Sequence, residues 1–115
     1  MIQGIHHIAI ISSSEESVEF YKRLGFEEIF RKEREYDNVV LLSGYGIQLE
    51  IFVDPNHPAH ETNPERIGIR HLALKVDSCE EMAKEFECTP IKQDWLGVNY
   101  CNTTDPDGIV VELHE

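Results

Sequence analysis

The chain has 115 residues, 41% of them apolar and 28% charged, and a formal net charge of −12. That length suits one domain with a real core, and the composition is that of an ordinary globular protein. The acidic balance argues against a nucleic-acid partner, which needs a concentrated basic surface. No apolar run approaches the roughly 20 residues of a membrane span, so no membrane partner is expected and a cytoplasmic location is the default.

The first predicted strand covers residues 5–11. Ser13 and Glu16 then have capping-box spacing, and Val18, Tyr21 and Leu24 recur at helical intervals before Gly25, a C-cap glycine. Residues 26–34 and 38–43 read as strands, and Gly44-Tyr45-Gly46 turns the chain into a further strand over 47–53. Residues 54–68, with Pro55, Pro58 and Pro64 and neither periodicity, form a linker. The second half opens at Ile69. Asp77 and Glu80 repeat the capping-box spacing ahead of a helix carrying Cys79, Met82, Ala83 and Phe86. Residues 88–96 leave room for one short strand, and strands over 98–103 and 109–114 pair across the turn Asp105-Pro106-Asp107-Gly108. The three cysteines, Cys79, Cys88 and Cys101, lack paired spacing and fit a reducing compartment.

Two β-α-β-β-β modules, residues 4–53 and 69–115, therefore follow one another in a single domain over 1–115, joined by the linker 54–68. One short helix per module is too little to cover both faces of its strands. The expected class is α+β, with the two tandem modules forming a half-open curved sheet around a metal-binding cavity.

A polar pattern repeats with the modules. His7 opens His7-Ile8-Ala9-Ile10 and His71 opens His71-Leu72-Ala73-Leu74, while Glu50 and Glu112 are embedded in later apolar strands. Strand parity puts His7 with Ala9, Glu50 with Gln48 and Phe52, His71 with Ala73, and Glu112 with Val110 and His114, each opposite the more aliphatic face. A carboxylate amid apolar strand residues is costly unless a cation holds it or water reaches it. Two imidazoles and two carboxylates at matched places point to a metal site built from duplicated halves. Trp95, Tyr100 and Asn102 lie where the pocket wall is expected, Tyr100 and Asn102 sharing parity. Arg70 has the opposite parity to His71 and is expected to pair with an outer carboxylate; His57, His60 and His114 are expected to be exposed.

The segments Ile5-His6-His7-Ile8-Ala9-Ile10, Phe20-Tyr21-Lys22-Arg23-Leu24-Gly25-Phe26, Gly68-Ile69-Arg70-His71-Leu72-Ala73-Leu74 and Asp105-Pro106-Asp107-Gly108 through Val111-Glu112-Leu113 resemble the vicinal oxygen chelate superfamily of glyoxalases, bleomycin-resistance proteins and dioxygenases, and within it the YaeR-like, glyoxalase-related branch. The resemblance spans nearly the whole chain. It implies His7, Glu50, His71 and Glu112 as metal ligands, with His7 favoured over His6 because it directly precedes the Ile-Ala-Ile run. It also implies a homodimer, the ligand sets meeting either within one chain or across the subunit interface.

Four such ligands leave two positions of a six-coordinate ion for substrate oxygens, and Ni, Co, Mn and Zn all suit mixed nitrogen and oxygen ligation. The implied activity is a metal-dependent lyase or isomerase of the glyoxalase type, possessing Glu50 or Glu112 as the base and stabilising an enediolate or alkoxide of a small oxygen-bearing substrate. The glutathione-binding residues of lactoylglutathione lyases have no match here. The alternative is a non-enzymatic small-molecule binding or drug-sequestering module of the bleomycin-resistance type.

Overall fold

The computed structural model describes all residues, 1–115. The first half contains β1 (Ile8–Ser12), α1 (Glu15–Arg23), β2 (Glu27–Glu33), β3 (Asn38–Gly44) and β4 (Ile47–Val53). The second contains β5 (Leu72–Lys75), α2 (Cys79–Glu85), β6 (Lys92–Gln93), β7 (Asn99–Thr104) and β8 (Val110–His114). Both have the order β-α-β-β-β, and the chain divides into two compact units, residues 1–59 and 60–115.

The expected half-open curved sheet around a metal-binding cavity does not form. The strands make two separate, open four-stranded sheets, ordered β1-β4-β3-β2 and β5-β8-β7-β6. In each sheet the first strand pairs in parallel with the last, while the second pairs only with the third. The first and second strands of each module therefore remain edges. One helix per module requires an uncovered sheet face, but an uncovered face does not require the sheet to bend or close.

In the first half, α1 packs against β3 and buries Ser17, Val18, Phe20 and Tyr21. Val40 and Leu42 of β3 and Leu49 and Ile51 of β4 are completely buried. Burying each such aliphatic side chain contributes about 1.5–3 kcal/mol, so this alternation anchors the register of both strands. The second half has a smaller set, with Cys79, Phe86, Cys101, Val111 and Leu113 buried where α2 meets β7 and β8.

Both helices start one residue later than their capping-box spacing predicts. Ser14, not Ser13, caps α1, its hydroxyl accepting from the Glu16 N–H at 3.3 Å. Ser78, not Asp77, caps α2, accepting from the Glu81 N–H at 3.1 Å. The first strand also begins later than predicted, at Ile8, which leaves His7 immediately before β1. The Asp105 turn closes as its composition indicates: the Asp105 carboxylate accepts from the N–H groups of Asp107 and Ile109 at 2.9 and 3.0 Å, and Gly108 takes a φ of 86°.

Candidate metal centre

The parallel register positions the first pair of polar groups. Ala9 lies across from Glu50 in the β1–β4 ladder, and His7 lies two residues before Ala9. The small alanine leaves space beside the carboxylate, and His7 Nε2 stands 3.1 Å from Glu50 Oε2. The second half repeats this arrangement. Ala73 lies across from Glu112 in the β5–β8 ladder, and His71 Nε2 is 3.7 Å from Glu112 Oε2. Burial alternates along both late strands: Leu49, Ile51, Val111 and Leu113 are buried, while Glu50 and Glu112 keep partial access to solvent on the opposite face.

Two ligands held about 2.1 Å from one ion at tetrahedral or right angles stand about 3.0–3.4 Å apart. The 3.1 Å span of the first pair falls in that range and the 3.7 Å span of the second lies just beyond it, while one imidazole with one carboxylate is a donor set suited to a divalent transition metal. What the structure presents is two such pairs; nowhere do three or more His, Cys, Asp or Glu side chains gather into a metal-holding group.

Further groups surround each pair. His6 Nδ1 is 2.9 Å from His7 Nδ1, so a proton on one of these nitrogens is shared with the other. Arg34 is gripped by Asp37 through two bonds of 2.6 and 2.7 Å and lies 5.6 Å from the centre of the Phe52 ring, on the strand that carries Glu50. The Asp37 bond raises the Arg34 pKa, and the Glu50 charge acts in the same direction.

The second half has a cavity of about 490 Å³ lined by His71 and Glu112. Trp95, Tyr100 and Asn102 also lie on its wall, Trp95 being almost wholly exposed. Asn102 stands directly opposite Glu112 in the β7–β8 ladder, and its Oδ1 is buried with no hydrogen-bond partner. Such an atom lacks the partner that buried acceptors ordinarily have, and a bound donor or cation would supply one.

His114, expected to be exposed, instead lies in the cavity wall. Its Nε2 is 2.8 Å from Asp94 Oδ2, its Nδ1 is 2.9 Å from the Glu115 carbonyl, and its ring stacks on Tyr100. The Asp94 bond raises the His114 pKa. Asp94 is itself held by the Leu96 and Val98 N–H groups, and the Val98 bond is foremost in lowering its pKa. Nothing in the local sequence marks Asp94, whose imidazole partner is twenty residues away. Arg70 pairs with a carboxylate as its parity indicated, but that carboxylate is Glu65, and both residues line the cavity. His57 pairs with Asp54 at 3.3 Å, and His60 is exposed.

Residues 4–113 match the family model described as the Glyoxalase/Bleomycin resistance protein/Dioxygenase superfamily. The chain is 37% identical to YwkD of Bacillus subtilis (strain 168), covering all of this chain and 98% of YwkD. It is 32% identical to YaeR of Escherichia coli (strain K12), covering 99% and 97% of the two chains. A glyoxalase family protein from Enterococcus faecalis has the same fold with a TM-score of 0.88, at 34% identity over 98% of each chain.

Proposed function

The chain belongs to the Glyoxalase/Bleomycin resistance protein/Dioxygenase superfamily, and within it we propose a divalent-metal-dependent lyase or isomerase of the glyoxalase type that moves a proton on a small oxygen-bearing substrate. The observation that carries this reading is the His–Glu pair built twice in one register, His7 with Glu50 and His71 with Glu112. On this reading the two pairs together supply the protein ligands of one divalent ion per chain, Ni, Co, Mn or Zn, a pair from each half meeting either within one chain or across the interface of two copies. When bound, the ion supplies Lewis acidity toward charge developing on a substrate oxygen.

The protein groups do the rest. Glu50 or Glu112 takes the proton from the carbon beside the substrate carbonyl and returns it to the neighbouring position. Tyr100 and Asn102 orient the substrate from the cavity wall, with Trp95 beside them. The working unit is a homodimer in the cytoplasm. The free thiols of Cys79, Cys88 and Cys101 support a reducing compartment. No helix is long and apolar enough to cross a membrane.

The test is a screen of metal-loaded protein against hemithioacetals, acyl thioesters and hydroxyacids in deuterated water. Deuterium incorporated at the carbon beside the carbonyl supports proton transfer, and no exchange in any class refutes it. The aromatic lining of Trp95 and Tyr100 favours a second reading, a small-molecule binding module that sequesters its ligand unchanged. Tight binding without exchange or turnover would select that reading.

A further inference from the structure

Arg70 is the only lysine or arginine on the cavity wall, where the carboxylates of Glu65, Asp94 and Glu112 would otherwise repel an anion. Of the two histidines on the wall, His114 has both ring nitrogens engaged, by Asp94 and by the Glu115 carbonyl, and His71 turns its Nε2 toward Glu112 at 3.7 Å. Arg70 is held differently. Its Nε donates to Glu65 Oε2 at 2.7 Å and its Nη2 to Glu65 Oε1 at 2.9 Å, a planar two-point grip on a carboxylate. Both side chains are more than half exposed. Glu65 comes from the segment preceding β5, while Arg70 is next to His71 and within electrostatic reach of Glu112 and Tyr100. An exposed ion pair is a weak lock, easily exchanged for a ligand with equal geometry and additional contacts.

We propose that this cavity takes a substrate bearing an oxyanion, a carboxylate or phosphoryl group, which displaces Glu65 from the two-point grip of Arg70. Glu65 is then an internal surrogate for the substrate anion, keeping the guanidinium aligned at the cavity rim while the site is empty. The proposal names the substrate class for the proton-transfer reading above and rests on that reading for its chemistry. Arg70 binds the substrate end remote from the reacting carbon, so it sets specificity and takes no proton.

The test uses inorganic phosphate as the probe and full-length protein stripped of metal with a chelator, so that phosphate cannot bind through an ion. Calorimetric titration should show weak binding to the unaltered chain. Glu65→Gln should strengthen it roughly two- to fivefold by removing the competing carboxylate. Arg70→Ala should weaken it at least about tenfold, with Arg70→Lys in between. Circular dichroism checks that the variants fold, which their exposure favours. Phosphate binding that is equal in the Arg70→Ala and unaltered proteins, or unchanged by Glu65→Gln, overturns the proposal. So does the absence of binding in both the unaltered and Glu65→Gln proteins. Metal content, measured separately, reports on the proton-transfer reading: Arg70→Ala should retain the ion whichever way the phosphate experiment falls.

Discussion

Asn102 and Glu112 stand directly opposite one another in the β7–β8 ladder, and Asn102 Oδ1 is buried there without a hydrogen-bond partner. An acceptor left in that state costs roughly 1–3 kcal/mol in the unliganded protein. Asn102→Ala should therefore leave the metal-free protein as stable as before or more stable by up to about 1 kcal/mol, because lost packing offsets part of the gain. Urea unfolding checks this. A loss beyond about 2 kcal/mol would show that the amide is structurally satisfied.

His6 should matter through His7. With the His7 Nδ1–H donating to His6 Nδ1, 2.9 Å away, His7 Nε2 keeps its lone pair on the side of Glu50. Removing such an outer partner typically weakens metal affinity about 10–100-fold, and His6→Ala is predicted to fall in that range. Competition against a chelator of known affinity measures it, and an unchanged affinity would remove His6 from the account.

The end of α1 is secured by a side chain from the β3–β4 turn. The Tyr45 hydroxyl donates to the Leu24 carbonyl at 2.5 Å, and Gly25 beside it has a φ of 109°. A Cβ on Gly25 would lie 2.0 Å from the Tyr45 hydroxyl oxygen. Gly25→Ala should thus cost about 1–3 kcal/mol through backbone strain and the displaced hydroxyl, more than the roughly 0.5–1.5 kcal/mol expected for Tyr45→Phe. Thermal unfolding of both variants tests the order; a larger loss in Tyr45→Phe contradicts it.

Acid should weaken the first half through Glu28. Arg31, followed by Lys22, holds this carboxyl down at about 2, against an ordinary value of 4.5. A depressed folded-state pKa contributes stability that is fully present above 4.5 and is lost as pH falls from there toward 2. Glu28→Gln should accordingly lower the Tm at pH 6 and flatten its decline between pH 5 and pH 3. An identical decline in the two proteins would mean that other carboxylates govern the acid transition.

Much of the architecture is legible in residue order because it depends on local patterns. Alternation along residues 47–53 separates Leu49 and Ile51 from Glu50, and Asp105 through Gly108 carries its turn chemistry in adjacent residues. The cap positions are less legible, since each helix is preceded by two neighbouring residues able to cap, Ser13 and Ser14 or Asp77 and Ser78. Which of them caps depends on where the backbone leaves its extended conformation. Relations across the chain are least legible: the separation into two open sheets depends on which strands become edges, and the Asp94–His114 pair joins a loop to the chain's last strand. The repeated His and Glu could be read because duplication placed one polar signal twice against an apolar background.

The central claim is that His7, Glu50, His71 and Glu112 bind a divalent ion. Elemental analysis of purified protein, reconstituted in turn with Ni, Co, Mn and Zn and then desalted, tests it most directly. The prediction is about one ion per chain, lost in Glu50→Ala and Glu112→Ala alike while circular dichroism shows that the fold persists. Metal content at background in the unaltered protein after every reconstitution, or full retention in both variants, would contradict it.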